Sequence, residues 1–332
     1  MVPVPPHVSE GATQVSEGIR RSGRYEHADL AMRAWREGRN VMGALREREG
    51  AAGNTPEMIE LACELQAGSN VRTHDDNRAA VDRVAAEYAE VLAPYLPSGT
   101  RVIDAGAGEL TMLGAVASRL PAGHRSWLAC DLSWSRLHVG RAFLASRPEY
   151  AAAAGAGCFV AEMGRLPLAD SAVDVALTFH ALQPNRGREA ELVAELTRVA
   201  ARWVVLFEPS WEHADAEARR RMDTHGYVRG LAGAIAAAGG ELVDEIPIRA
   251  PLDPLYPTVA RVVRPRPPGR GAVAMPEKAM WRCPVSGGEL LRVDHPEGSW
   301  LWSPAPLLLY PVVGGIPLLT GSSALFAARG DA

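Results

Sequence analysis

Several things the 332-residue chain lacks limit what it can be. No stretch reaches the roughly 20 consecutive apolar residues of a membrane span. The opening "MVPVPPHVSE" has neither the charged start nor the apolar core of a signal peptide, so no membrane association is expected. The four cysteines, Cys63, Cys130, Cys158 and Cys283, lie far apart without a CxxC pair, which argues against a disulfide framework and for reduced thiols in the cytoplasm. A net charge of -4 and a pI near 6.2 leave no diffuse basic field for a phosphate backbone, so nucleic acid is disfavoured as a partner. Lysine is nearly absent, the 35 basic residues being almost all arginine, a usage that fits GC-rich coding better than any one function. What is there is ordinary globular composition, 47% hydrophobic, enough for one large core and a smaller appendage.

Residues 1–25, rich in Pro, Gly, Ser and Glu, read as a loosely ordered tail. Residues 26–79 read as a helical lid. Leu30, Ala34, Val41, Met42 and Leu45 recur at helical intervals, and Thr55 with Pro56 marks the start of a further helix over "EMIELACEL". From residue 80 to 263 the pattern becomes strand-length apolar runs separated by helical stretches at about 109–119, 134–146, 188–201 and 225–239. The runs "RVIDAG", "SWLACDL", "GCFVAEM", "VDVALTFH" and "WVVLFEP" are apolar on consecutive positions, as in a parallel sheet covered on both faces. "GELVDEIPI" and "PTVARVVRP" supply two more strands that close the sheet. The expected class is therefore α/β, a Rossmann-like doubly wound sheet. Residues 264–274, containing "RPRPPGRG", read as a linker, and 275–332 as a small α+β module.

In a doubly wound sheet the first strand-to-helix turn is the usual ligand site. In "RVIDAGAGE", Gly106 and Gly108 let the backbone come close to a ligand above the N-terminus of the next helix. A nicotinamide fingerprint needs a third glycine where Thr111 stands, and Asp104 suits an ammonium or hydroxyl better than a pyrophosphate. Asp131, at the end of the second strand, is placed to hold both hydroxyls of a ribose. Glu162 and Met163 follow the third strand, where an adenine could be met.

Asp104-Ala-Gly106-Ala-Gly108, Asp131 and "LPLADSAVDVALTFHAL" together resemble the motif series of class I S-adenosylmethionine-dependent methyltransferases, over about residues 80 to 262. The resemblance implies S-adenosylmethionine as cofactor. Asp104 and the turn at Gly106 and Gly108 would border the methionine part, Asp131 the ribose, and Glu162 and Met163 the adenine, with Ala105, Leu132 and Thr178 as further cofactor contacts. Gln66, Gly68, Ser69 and Asn70 look like a loop closing over the methionine end; a plain helix C-terminus at Gly68 is the competing reading. "ELQAGSNV" and "HALQPNRGREAELVAELTRVAARWVVLFEPSWE" also resemble a narrower group of methyltransferases that carry an attached C-terminal module.

That module, with Cys283-Pro284, Gly288, Leu290, Tyr310-Pro311-Val312 and Gly315-Ile316-Pro317, resembles the small zinc-ribbon-like domain that as a separate chain activates tRNA, rRNA and release-factor methyltransferases. A zinc ribbon needs four ligands, and Ser286 stands where a partner of Cys283 would be. The module is expected to fold by apolar packing, bind no metal, cover an apolar face of the larger domain, and make a separate activator subunit unnecessary.

Methyl transfer requires alignment of a nucleophile and a base for its proton. His180, just past the fourth strand, has a side chain that titrates near neutrality and is the expected base. Glu208, ending the fifth strand, and Tyr227 are placed with it as catalytic residues. Gln183, Asn185, Glu212, Arg221 and His225 are the expected substrate contacts, although "QPN" is equally turn chemistry and "EARRRM" equally a solvated helix face. The reading is a methyltransferase acting on an O or N nucleophile of a small molecule in specialised metabolism; the sequence is compatible with a homo-oligomer. An RNA- or protein-directed methyltransferase is the alternative, though the position of an Asn/Asp-Pro-Pro-Tyr/Phe loop here reads Thr178-Phe179-His180-Ala181. The further alternatives are an NAD-dependent oxidoreductase and a non-catalytic nucleoside-binding protein.

Overall fold

The structure, a computed structural model, describes residues 27–253, 255–265, 277–296 and 298–328. The expected N-terminal tail and nearly all of the expected linker lie outside the described residues.

Three short helices come first: α1 (Ala28–Arg36), α2 (Val41–Glu49) and α3 (Pro56–Leu65). Local chemistry explains their ends. The Asn40 side chain accepts from the Gly43 N–H, Gly50 closes α2 in the left-handed region, and Thr55 accepts from the Met58 N–H with Pro56 at the first helical position, as expected. These helices share a small core of their own, built on Ala31, Ala34, Leu45, Met58 and Ala62. Two further helices, α4 (Ser69–Asp76) and α5 (Arg78–Leu92), lead into the sheet.

The sheet contains β1 (Arg101–Ala105), β2 (Ser126–Asp131), β3 (Gly157–Val160), β4 (Val173–Phe179), β5 (Ala200–Pro209), β6 (Glu241–Pro247) and β7 (Thr258–Arg264). They lie in the order β3-β2-β1-β4-β5-β7-β6, parallel except that β7 runs antiparallel to both its neighbours. The expected closing pair is thus β6 with β7. Between the strands run α6 (Thr111–Ala117), α7 (Trp134–Ala145), α8 (Glu189–Val199), α9 (Ala216–His225) and α10 (Leu231–Ala237). The expected helix over 225–239 is a correction: His225 ends α9, Gly226 turns the chain at φ 68°, and only Leu231–Ala237 is helical. Both faces of the sheet are covered, so Val102 packs into one apolar cluster with Leu113 and Phe143, while its neighbour Ile103 packs into the other with Leu128 and Leu196. That explains the consecutive apolar positions in the strands.

The C-terminal module contains α11 (Glu277–Met280), β8 (Leu291–His295), β9 (Gly298–Ser303), β10 (Leu308–Val313), β11 (Ile316–Pro317) and β12 (Leu325–Phe326). Its strands are ordered β11-β10-β9-β8, with β12 also on β10. Apolar packing holds it to the main sheet: Met280, Leu290, Leu301, Tyr310 and Leu319 are buried in one cluster with Phe159 and Leu168. Backbone pairing does so too. Leu318 bridges Val160 in parallel, the Leu319 N–H donates to the Val160 carbonyl at 2.8 Å, and Trp281 bridges Leu168. The module therefore pairs with the edge strand β3 at Val160, in addition to covering an apolar face. Cys283 accepts from the Ser286 N–H and contacts the Tyr310 hydroxyl at 3.2 Å; burial raises its thiol and these hydrogen bonds lower it, with a net fall to about 7. Among the described residues no helix is long and apolar enough to cross a membrane, and no cluster of three His, Cys, Asp or Glu is arranged to hold a metal.

Candidate functional site

The turn from β1 to α6 is tied to β2. The N–H groups of Gly106 and Ala107 both donate to the Cys130 carbonyl at 2.8 Å, and the Gly108 N–H donates to Asp131 Oδ2 at 2.9 Å. Gly106 lies at φ 78°, and a Cβ there would fall 2.4 Å from the Ala181 Cβ and 3.2 Å from the Met163 Cε. No other residue fits. Asp131 Oδ1 accepts from the Ser133 N–H, so each carboxylate oxygen holds one backbone donor and keeps a lone pair. Burial raises the Asp131 carboxyl, against the pull of Arg136.

Beyond the carboxyl ends of β1 to β4 lies a cavity of about 190 Å³. Of the residues expected around a cofactor, Gln66, Gly106, Asp131, Leu132, Glu162 and Met163 line it. From the expected catalytic and substrate sets, His180, Gln183, Asn185, His225 and Tyr227 line it. The expected residues thus converge on one cleft from six segments of chain.

Several others do not. Ala105 and Thr178 are wholly buried within their strands and off the cavity wall. Asp104 is also behind the wall, with Oδ1 lacking a partner; burial and then the like charges of Asp131 and Glu208 hold its carboxyl well above the usual range. Gly108 serves the turn through Asp131 rather than reaching the cavity. The expected loop at 66–70 ends at Gly68: Ser69 and Asn70 form the first turn of α4 and Ser69 is off the wall. The physical reason is Glu109, fully buried, which accepts from the N–H groups of Gly68 and Val71 and so caps that helix. Arg221 turns away to Asp253 at 3.4 Å and lies over the Tyr256 ring. Glu212 accepts from the Gly230 N–H and the Ser210 hydroxyl, holding the chain between α9 and α10 instead of facing the cleft.

Glu208 is the main correction. Its carboxylate is inaccessible: Oε1 accepts from the N–H groups of Ala181 and Leu182 at 2.9 and 3.0 Å, and Oε2 from that of Gln183 at 3.1 Å. It is a positioning residue for the loop after β4, and burial pushes its carboxyl up to about 7, against the three N–H bonds. This anchored loop holds His180 in the left-handed region, at φ 58°, with its N–H on the Phe207 carbonyl. Such strain in a non-glycine residue is characteristic of functional positions. The imidazole Nδ1 is 3.1 Å from Gln183 Oε1, and Nε2 faces the hydroxyls of Thr258 at 3.0 Å and Tyr88 at 3.3 Å. Since the amide oxygen only accepts, Nδ1 carries the proton and Nε2 keeps its lone pair. Burial lowers the imidazole to about 4, so the expected titration near neutrality is corrected and the ring is neutral at pH 7. Gln183 Nε2 reaches on to the Tyr227 hydroxyl at 3.2 Å, and burial raises the Tyr227 phenol. Asn185 spends its amide on the Ala181 carbonyl, so its turn role is present alongside its place on the wall.

The N-terminal helices close the cleft. Met42, Ile59 and Cys63 line it with Gln66, whose Oε1 accepts from Arg136 at 3.0 Å. Arg46 donates to the Thr224 and His225 carbonyls, Asn54 to the Pro184 carbonyl, and Asn40 meets His225 Nδ1 at 3.1 Å. Burial lowers the His225 imidazole, helped by Arg221 and Arg46. Glu162 accepts from Arg188 at 2.6 Å and from the Gly164 N–H. Arg136, Arg188, Glu109, Asn54, Tyr88 and Thr258 are parts of the site that the sequence reading did not identify. Nothing near them in sequence marks them.

Neither a protein-family model nor a curated protein sequence matches the chain. Solved structures do resemble it at low identity. One is a chain from the complex between a Haloferax volcanii methyltransferase activator and a methyltransferase, at 14% identity and a TM-score of 0.48, covering 61% of this chain and 97% of that one. A second is the geranyl diphosphate C-methyltransferase from Streptomyces coelicolor, at 12% identity and a TM-score of 0.42, covering 54% of this chain and 77% of that one. A third is the [4+2]-cyclase SpnF, at 15% identity and a TM-score of 0.44, covering 54% and 80%.

Proposed function

We propose that the chain is an S-adenosylmethionine-dependent methyltransferase that methylates an O or N nucleophile of a small molecule, in specialised metabolism. One observation carries this reading: Gly106, Asp131, Leu132, Glu162 and Met163 meet His180 around a single cleft at the carboxyl ends of β1 to β4. The donor set suits a nucleoside. Asp131 has lone pairs left for ribose hydroxyls, Met163 offers a flat apolar contact to a base, and Glu162 can accept from an exocyclic amine.

When bound, the cofactor supplies a methyl group already activated on a sulfonium. The chain's own task is to align the acceptor and take its proton. Neutral His180, with Nδ1 fixed by Gln183, presents Nε2 as the acceptor for that proton, and Glu208 holds the loop that fixes both residues. Tyr227 orients Gln183. The lid helices exclude water from the cleft. The C-terminal module, being covalently attached, removes the need for a separate activator subunit. The four free cysteines support a reducing compartment such as the cytoplasm.

Ligand-dependent thermal stability tests the reading. At 100 times its dissociation constant, S-adenosylhomocysteine should stabilise the protein by about 2.7 kcal/mol, and NADH should leave it unchanged. Stabilisation by NADH alone would overturn the reading.

A further inference from the structure

A second cavity, of about 260 Å³, lies on the other side of His180 and Gln183, which line both. Its walls come from distant parts of the chain. Val84 and Tyr88 on α5, Met112 on α6, Phe179 at the end of β4 and Tyr256 before β7 give it a mainly apolar and aromatic lining, to which Asn70, Thr73, His74 and Thr111 add polar groups. Tyr88 and Phe179 stack within 2° of parallel at 5.5 Å, and Phe207 packs behind both, so this wall is rigid. Among the described lining residues no lysine or arginine occurs, and the one carboxylate, Asp253, is already paired with Arg221 from outside. A phosphate or carboxylate placed here would be desolvated without a counter-charge. The volume suits a small molecule.

We propose that this cavity receives the methyl acceptor, and that the acceptor is an uncharged, flat, largely apolar molecule of one or two rings with its hydroxyl against His180. The proposal rests on the methyltransferase reading and adds the class of substrate. His180 and Gln183 form the partition between the two cavities, so the acceptor oxygen and the methyl group meet at that partition. There the acceptor O–H gives its proton to His180 Nε2, and the oxygen forms the new bond to the methyl carbon. The sulfur–methyl bond breaks with its electron pair remaining on sulfur, which leaves a neutral thioether, and the imidazolium then releases its proton to solvent. Tyr88, whose hydroxyl lies 3.3 Å from Nε2, lines this cavity, so Nε2 lies near its wall.

Equilibrium dialysis of the full chain saturated with S-adenosylhomocysteine tests this, with 1-naphthol and 1-naphthyl phosphate as probes. The expected result is retention of 1-naphthol, with 1-naphthyl phosphate at least tenfold weaker. Val84→Trp fills the cavity and should weaken 1-naphthol at least tenfold while leaving S-adenosylhomocysteine affinity unchanged. Leu252→Trp narrows the same cavity from an exposed loop position, where folding is not at risk, and should act in the same direction. Naphthyl phosphate bound as tightly as naphthol, no naphthol retained, or naphthol unaffected by both tryptophans overturns the proposal. Failure of the unaltered chain to bind S-adenosylhomocysteine instead overturns the reading beneath it.

Discussion

Replacing Glu208 with glutamine separates a positioning carboxylate from a catalytic one. Burial moves the Glu208 carboxyl from its ordinary 4.5 to about 7, which disfavours the ionised form in the folded protein by about 3 kcal/mol. A carboxyl raised on folding stabilises the protein fully below pH 4.5, and that contribution is lost as the pH rises towards 7. The glutamine cannot titrate. Its oxygen still accepts from the Ala181 and Leu182 N–H groups, but its nitrogen meets the Gln183 N–H donor to donor, at about 1–3 kcal/mol at every pH. Chemical denaturation at pH 5, 6, 7 and 8 should therefore show the stability of wild type relative to Glu208→Gln falling by about 2.5 kcal/mol across this range. Some slope remains in the variant, because the Asp104 carboxyl is raised mainly by its own burial. A stability difference that stays constant with pH, or that grows with it, would refute the account of Glu208 as a buried group raised by desolvation.

Two further substitutions probe other links. Gly106→Ala puts a Cβ against Ala181 and Met163 in a left-handed turn, so strain and overpacking together should cost about 2–4 kcal/mol and weaken S-adenosylhomocysteine, as measured by thermal unfolding and ligand titration. His180→Ala should abolish turnover while S-adenosylhomocysteine still binds; a variant that kept full kcat at every pH would show that His180 takes no proton.

The sequence by itself determined the elements whose signals are local. Consecutive apolar residues such as Val102 and Ile103 marked strands because both faces of each strand are buried, and Thr55-Pro56 fixed a helix start because its cap lies within one turn. Gly106 and Asp131 were legible because the turn and the strand end that carry them are set by short-range geometry. Tertiary structure alone decided what each polar group does. Glu208 looked like a residue facing the cleft, but its bonds run to three N–H groups in another loop, and Glu109 caps a helix that precedes it by a whole strand and helix. The free edge of β3 and the segment at Leu318 and Leu319 that covers it are likewise far apart in sequence. A hydrogen-bonding group shows in its sequence what it can donate or accept; which partner it meets is fixed only when distant segments pack together.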